Sequence, residues 1–378
     1  MPTREPQILG RMQTRLPRAW ALAALLPMFA LAASTPAHAF PGFGPKSTWV
    51  DLYGGWASQN GGHLYARLHT GAPPKPDTRG ENGAEKLLKS IEALELDAAK
   101  GATALIAIQG KGTFKTVADD HGFVDFALPA GMRGPLNRVT LTIAPSKTLK
   151  TSSSTYIVPV WTDKAGQIGV LSDVDDTLTD SDIPHKLVAG YRTLFHSAYD
   201  VKVFPGAGKQ LTSITAPVKG FPVRPLFFLT GSPWNLHTRI ASAFSMAGVP
   251  KGAFILRRFS TESMKAYDFK HPHLQEVFKL FPQTKWVLFG DTGEQDPEVY
   301  LQMSKERPQQ VEHIYIHNVA TAHQDPHSPR FGWTNAAHEA QRMTVFDNWN
   351  DLSGSIAQNG YVFGHPAAAA TLKKTGTQ

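Results

Sequence analysis

Two carboxylates, Asp173 and Asp175, follow the apolar run Gly169–Ser172 in the sequence Asp-Val-Asp-Asp-Thr. One carboxylate can attack a phosphoryl group while its neighbour handles the leaving group's proton, so this spacing suits phosphoryl transfer beside a divalent cation. An acidic turn with a purely structural role gives the same short pattern. A calcium loop is excluded, because the sixth and twelfth positions are Leu178 and Pro184 instead of Gly and Glu.

The elements that must position these carboxylates are apolar strands separated by helical stretches. The predicted strands lie at 168–172, 225–230, 253–256, 285–290 and 313–317. Apolar residues at helical spacing predict one helix around 236–247 and another around 274–281. Strands that alternate with helices predict a parallel α/β sheet covered on both faces, with the ligand at the carboxyl ends of the strands.

Polar residues at two other points of this pattern are candidates for contact with a phosphoryl group. Thr230 ends the second strand, where its hydroxyl can bind a phosphoryl oxygen or simply end the strand. Ser232 precedes Pro233, which predicts a helix capped by Ser232. Lys270 lies just before the predicted helix 272–280 and can offset transition-state charge, although most lysines are solvated surface residues.

The fourth strand ends at Gly290 and Asp291, which places a carboxylate beside Asp173 at the same edge of the sheet. Oxygen ligands of this kind suit Mg²⁺. Asp296 has two interpretations: it is a further ligand of the cation, or it caps a helix that opens at Pro297.

Residues 40–162 have a different sequence pattern, which is rich in short predicted strands. This pattern predicts a small β-rich domain of the sandwich type. Strands are predicted at 63–69, 104–108, 124–128, 139–143 and 156–161, with a helix over 84–98. The α/β domain is predicted over 163–363, and 364–378 is predicted to be a flexible tail.

The N-terminus has the pattern of an export signal. Four arginines precede an apolar stretch over 20–33, and Ala37-His-Ala39 follows as a small-x-small cleavage site. We therefore expect a signal peptide over 1–39, cleavage after Ala39 and a periplasmic or secreted protein. An uncleaved N-terminal anchor is the alternative.

Composition excludes several classes. The chain has no cysteine, which excludes Cys-based catalysis and Cys-ligated zinc. The net charge of +7 is compatible with approach to anionic lipid or phosphorylated substrates. No dense Lys/Arg run indicates a nucleic-acid partner.

Together the motifs resemble the four motifs of the haloacid dehalogenase superfamily, in the expected order and on the expected strand ends. The residues that carry the resemblance are Asp173, Asp175, Thr177, Thr230, Lys270, Asp291 and Asp296. Within that superfamily the chain is similar to the phosphatidate phosphatase family typified by an actin-patch-associated enzyme. This closer resemblance covers roughly 165–350 and is carried by the stretches 172–177, 204–206, 231–234, 256–257, 281–282 and 290–300. One departure is His317, at a position where relatives are expected to carry Arg.

The resemblance implies a Rossmann-like fold and a two-step mechanism. Asp173 would form an aspartyl-phosphate, and Asp175 would protonate the leaving alcohol and then activate water. Mg²⁺ would be held by Asp173, the carbonyl of Asp175 and Asp291, with Asp296 nearby. The transferring oxygens would be held by Thr230 and Lys270, and Thr177 would belong to the phosphate site and orient the acidic loop.

The substrate is predicted from the modest size of the inserts, which implies an open site and a large or membrane-borne substrate. Aromatic residues of the first insert either contact lipid or pack among themselves: His185, Tyr191, Phe195, Tyr199 and Phe204. Arg257 and Arg258 either meet a second anionic group or form a solvated edge. The main hypothesis is an exported phosphatase that converts phosphatidate to diacylglycerol, with contact to a membrane surface. The alternatives are a periplasmic phosphomonoesterase for soluble substrates and a lipid-binding protein without turnover.

Overall fold

Several predicted features fall outside the residues that the computed structural model of the protein describes. The described residues are 44–73, 78–80, 97–180, 197–217, 224–258, 262–263, 265–319 and 342–359. The features outside them are the signal peptide 1–39, most of the predicted helix 84–98, the insert residues His185, Tyr191 and Phe195, and the tail 364–378.

The first part of the chain forms two antiparallel sheets. Its strands are β1 (Thr48–Ser58), β2 (Gly61–Thr70), β3 (Thr103–Ile108), β4 (Gly112–Val117), β5 (Phe123–Leu128), β6 (Leu136–Ile143) and β7 (Ser152–Pro159). One sheet has the order β1-β2-β5 and the other has the order β4-β3-β6-β7. Apolar side chains from both sheets, such as Leu64, Val124, Ile106 and Leu141, share one buried core. Antiparallel β structure in this part of the chain is therefore confirmed.

Two of these strands, β1 and β4, were not predicted. Gly54 and Gly55 interrupt the alternation of β1 and resemble a turn in the sequence. The register of β1 against β2 shifts between Leu52 and Gly54, so the glycines occupy a bulge inside a continuous strand.

The second part of the chain forms a six-stranded sheet in which every neighbouring pair is parallel. Its strands are β8 (Ile168–Ser172), β11 (Leu226–Pro233), β12 (Ala253–Arg257), β13 (Lys285–Asp291), β14 (Val311–His317) and β15 (Met343–Phe346). The order is β12-β11-β8-β13-β14-β15. The predicted parallel sheet is confirmed, with β15 as an additional strand. The chain changes direction across the sheet between β8 and β13, which is where ligands bind in open parallel sheets.

A short ribbon and five helices complete the described part of the chain. The ribbon pairs β9 (Thr179–Asp180) with β10 (Lys202–Val203). The helices are α1 (Ala207–Thr215), α2 (His237–Met246), α3 (Ala266–Leu280), α4 (Asp296–Glu306) and α5 (Leu352–Gln358). No helix among the described residues is long and apolar enough to span a membrane.

Aromatic packing joins the β1-β2-β5 sheet to the parallel sheet. Trp56 of β1 is fully buried, and its ring centroid lies 4.9 Å from that of Phe227 in β11. Trp161 and Phe281 pack around the same ring of Phe227. The described residues from Pro45 onward accordingly belong to one compact unit. The boundary between the two predicted domains, near residue 163, stays a prediction.

A histidine with two acidic neighbours links the same two parts. The Nδ1 of His63 lies 2.9 Å from Asp125 Oδ1, and its Nε2 lies 2.8 Å from Glu276 Oε1 on α3. Burial acts to lower the pKa of His63, but the hydrogen bonds to both carboxylates outweigh it and raise the pKa to about 9.

We expect the His63 contacts to make stability depend on pH. The folded-state pKa lies above the unfolded value of about 6.5, so the contribution is complete below about pH 6.5 and is lost as the pH rises through about 9. In urea unfolding, the free energy of unfolding of His63→Gln should be about 3 kcal/mol below that of the wild type at the acidic end of the range. This difference should shrink toward alkaline pH. A difference that stays constant with pH would contradict this assignment.

Candidate active site

The acidic turn that follows β8 is held by its own backbone. Asp173 N–H donates to Phe289 O of β13 at 2.8 Å, which fixes the turn to the neighbouring strand. Asp176 has a φ of 59°, a left-handed conformation that Asp tolerates better than most residues. The Nδ1–H of His317 donates to the carbonyl oxygen of Asp176 at 2.7 Å. The departure at His317 thus has a structural role, because it fixes the carbonyl of the strained residue.

Lys270 lies in the middle of a buried group of carboxylates. Its Nζ lies 2.8 Å from Asp173 Oδ1, contacts Asp296 Oδ1 and lies 3.6 Å from Glu294 Oε2. The side chain is 0% exposed, so it is not a solvated surface lysine. The prediction that Lys270 precedes its helix was wrong: α3 begins at Ala266, and the helix itself directs Lys270 into the site.

Thr177 joins the two strand ends that the sequence placed at the metal site. Its Oγ1 lies 3.1 Å from Asp173 Oδ2 and 3.2 Å from Asp291 Oδ2. The hydroxyl is fully buried, and the Trp349 indole N–H donates to the Thr177 carbonyl at 2.9 Å. These contacts orient the acidic loop, while direct phosphate binding by Thr177 stays a prediction.

Asp175 faces the end of β11. Thr230 Oγ1 donates to Asp175 Oδ2 at 2.6 Å, and Ser232 Oγ donates to the same oxygen at 2.8 Å. Ser232 was predicted to cap a helix from Pro233, which was wrong: β11 continues through Pro233, and a 3₁₀ turn begins at Trp234 without a side-chain cap. Sequence reasoning therefore missed Ser232 as a site residue, although two hydroxyls two residues apart at a strand end were the available signal.

Asp296 is not the N-cap of its helix. It is the first residue of α4, whose N-cap residue is Gln295, and no side chain caps this helix. Its carboxylate points inward, toward Lys270 and the backbone N–H of Asp291, which donates to Oδ2 at 3.3 Å. Gly290 makes this approach possible, since a Cβ there would lie 2.6 Å from the Asp296 side chain. The cap interpretation is excluded, and the ligand interpretation remains.

Burial dominates the electrostatics of the carboxylates. Burial raises the pKa of Asp173, Asp291 and Asp296. For each of the three, the neighbouring carboxylates raise the pKa further and the Lys270 ammonium lowers it. Burial also raises the pKa of Asp175, against the hydrogen bonds from Thr230 and Ser232. A raised pKa favours the protonated form that an acid catalyst needs.

The same carboxylates fit a divalent cation. Oxygens of Asp173, Asp291 and Asp296 all lie within 4.8 Å of one another, and all three side chains are buried. Three carboxylates share this site, and Lys270 supplies one positive charge, so a divalent cation would offset much of the remaining negative charge. Carboxylate oxygens are the ligands preferred by hard cations such as Mg²⁺.

The two arginines at the end of β12, Arg257 and Arg258, have different surroundings. Arg257 is 5% exposed, with its guanidinium carbon 4.9 Å from the centre of the Phe269 ring, so it is not a solvated edge. Gly231 leaves the space that this guanidinium occupies, because a Cβ there would lie 2.8 Å from Arg257 Nη2. Arg258 instead pairs with carboxylates: its Nη2 lies 3.8 Å from Asp125 Oδ2, and its Nε lies 3.6 Å from Glu262 Oε1.

The fold and the site combine an α/β sheet with a buried acidic cluster that could hold a metal ion. Residues 168–318 match the family model described as the catalytic domain of Phosphatidate phosphatase APP1. Phosphatidate phosphatase APP1 of Saccharomyces cerevisiae is 28% identical over 154 residues, which is 39% of this chain and 25% of the relative. An uncharacterised protein of Schizosaccharomyces pombe is 27% identical over 163 residues, with 40% and 25% covered. The chain spans about a quarter of the length of these curated relatives.

The likeness to solved structures is weak. A carbohydrate acetylesterase from Xanthomonas citri aligns over 84% of this chain and 76% of its own, with 12% identity and a TM-score of 0.33. A β-glucuronidase from Parabacteroides merdae covers 71% of this chain and 33% of its own, with 10% identity and a TM-score of 0.23. These scores support no argument on fold, so the haloacid dehalogenase assignment stays a prediction.

We expect Lys270→Met to destabilise the cation-free protein by about 3–5 kcal/mol, because it leaves buried carboxylates without their partner. Lys279→Met is the matched control, since Lys279 is an exposed lysine of the same helix. Denaturant unfolding should also show that Mg²⁺ recovers part of the loss in Lys270→Met, because the cation replaces the missing charge. Equal stability of the two variants would contradict the account of the cluster.

Proposed function

We propose that this chain is an exported, Mg²⁺-dependent phosphatidate phosphatase of the haloacid dehalogenase superfamily that releases phosphate to give diacylglycerol. The observation that carries the proposal is the group formed by Asp173, Lys270, Asp291 and Asp296 at the carboxyl ends of parallel strands, with Asp175 beside it. The match of 168–318 to a phosphatidate phosphatase family supports the substrate class.

In the first step, a carboxylate oxygen of Asp173 attacks phosphorus, and the bond from phosphorus to the glycerol oxygen breaks. Asp175 gives its proton to that departing oxygen. Because Thr230 and Ser232 both bind Oδ2 of Asp175, Oδ1 is the atom that can carry and transfer this proton. Diacylglycerol leaves, and Asp173 holds the phosphoryl group.

In the second step, Asp175 takes a proton from water, and the resulting hydroxide attacks phosphorus to release inorganic phosphate and restore Asp173. The ammonium of Lys270 offsets negative charge around Asp173 in both steps. Asp173, the Asp175 carbonyl, Asp291 and Asp296 would hold Mg²⁺, which supplies positive charge for the transferring oxygens. The single hydroxyl proton of Thr230 is donated to Asp175 Oδ2, so we assign Thr230 to holding Asp175 in place.

Export is proposed from the sequence of the first 39 residues, and phosphatidate would then be met at the outer face of a membrane. N-terminal sequencing of the protein from a periplasmic fraction should read from Phe40. Recovery of the protein only from the cytoplasmic fraction, with Met1 as its first residue, would remove export from the proposal.

We expect Asp173→Asn to lower phosphate release from phosphatidate by at least about a thousandfold, because the amide oxygen is a poor nucleophile. Chelation with EDTA should have a similar effect that Mg²⁺ reverses. The assay compares phosphatidate in mixed micelles with a panel of soluble phosphomonoesters. Asp268→Asn is the matched control: Asp268 lies on α3 and contacts Ser263.

The outcomes separate the three hypotheses for this site. Release from phosphatidate that both treatments abolish supports the proposal. Release only from soluble esters would keep the mechanism and favour a phosphomonoesterase for soluble substrates. No release from any ester, together with binding to phosphatidate vesicles, would favour a lipid-binding protein without turnover.

A further inference from the structure

The sheet β4-β3-β6-β7 has one buried face and one exposed face. Its buried face packs on the β1-β2-β5 sheet through residues such as Ile106, Val139 and Leu141. Side chains alternate along a strand, and directly paired residues share a face. The pairs Leu105 with Lys115, Thr103 with Val117, and Arg138 with Ile157 therefore all lie on the exposed face.

We name the exposed side chains of this sheet the outer face, defined as Lys115, Val117, Leu136, Arg138 and Ile157. Among the described residues, five large apolar side chains are strongly exposed, and three of them belong to the outer face: Val117 at 57%, Leu136 at 61% and Ile157 at 43%. These three come from three different strands: Val117 ends β4, Leu136 begins β6 and Ile157 lies within β7, so the apolar exposure is spread along the sheet.

The strands of this surface carry charge of one sign, while the turn after β4 carries Asp119 and Asp120, the latter paired with Lys100 at 2.9 Å. Residues 98–118 and 126–162, which contain the four strands, carry seven Lys or Arg and no Asp or Glu. Lys115 and Arg138 lie on the outer face itself, and the adjoining turns add Lys111, Arg133, Lys147 and Lys150, all exposed. An anionic surface would meet no like charge anywhere on these strands.

The geometry points to an anionic lipid bilayer as the partner of the outer face. Cations set between single apolar side chains suit a lipid interface, where the apolar groups enter the headgroup region and the cations meet anionic headgroups. The core of a protein interface is instead depleted of Lys and of charge in general. The role of this contact in supplying membrane-borne substrate rests on the proposed function, whereas the contact itself does not.

Sedimentation with lipid vesicles tests the inference. The vesicles are phosphatidylcholine with or without phosphatidylglycerol, an anionic lipid that is not the proposed substrate. The variants are Lys115→Gln with Arg138→Gln, and Leu136→Ser with Ile157→Ser. The control is Lys209→Gln with Met246→Ser, which removes an exposed cation and an exposed apolar side chain from other elements.

The wild type should bind only the anionic vesicles, and less at high salt. Each cation removed should weaken binding roughly fivefold, and the apolar pair should weaken it at every salt concentration. The control should bind like the wild type. The inference is overturned if outer-face and control variants bind alike, or if the wild type ignores anionic vesicles. It is also overturned if sedimentation velocity shows that the outer-face substitutions dissociate a dimer, since the occupant is then a second copy.

Activity assays separate this inference from the proposed function. Outer-face variants should lose release from vesicle-borne phosphatidate and keep release from a short-chain phosphatidate dispersed as monomers. Vesicle binding without release from either form would reject the proposed function and leave the docking surface standing.

Discussion

The buried charge balance around Lys270 is the constraint on which the site depends. A fully buried ammonium costs free energy unless carboxylates surround it, and buried carboxylates cost free energy unless cations meet them. Here Asp173 follows β8, Asp291 ends β13 and Asp296 begins α4, whereas Lys270 comes from α3. Each of these elements must therefore hold its position for the buried charges to remain neutralised, which makes the geometry of this site part of the folded core.

The antiparallel sheets contribute to the same geometry from the other side. Trp234, which follows the Thr230–Ser232 segment, stacks on Tyr53 of β1 with 4.9 Å between ring centroids. Tyr65 of β2 packs on the same indole at 5.1 Å. The hydroxyls that bind Asp175 are thus followed, after Pro233, by a residue fixed against the N-terminal sheets. This packing explains why the β-rich part and the α/β part form one unit.

Much of the site was predictable because strand ends can be recognised in the sequence. Asp173, Asp175, Thr230 and Asp291 each follow an apolar run, and the order of the strands brings their ends together. The errors arose where local signals competed with tertiary packing. Ser232 before a proline looked like a helix cap, but its hydroxyl turns toward Asp175. For Asp296 before Pro297 the cap was one of two interpretations, and the side chain turns toward Lys270 and the backbone of Asp291. The contact of His317 with Asp176 joins residues far apart in the chain and has no local signal.

The central claim is that Asp173 is the nucleophile of a two-step reaction. Rapid acid quench of the protein during turnover of phosphatidate with Mg²⁺, followed by peptide mass spectrometry, tests it most directly. The account predicts one phosphoryl group on the peptide that contains Asp173. In Asp175→Asn this group should fail to form, because the first step needs the proton of Asp175. Turnover without any phosphoryl group on that peptide, or with the group on another residue, would contradict the account.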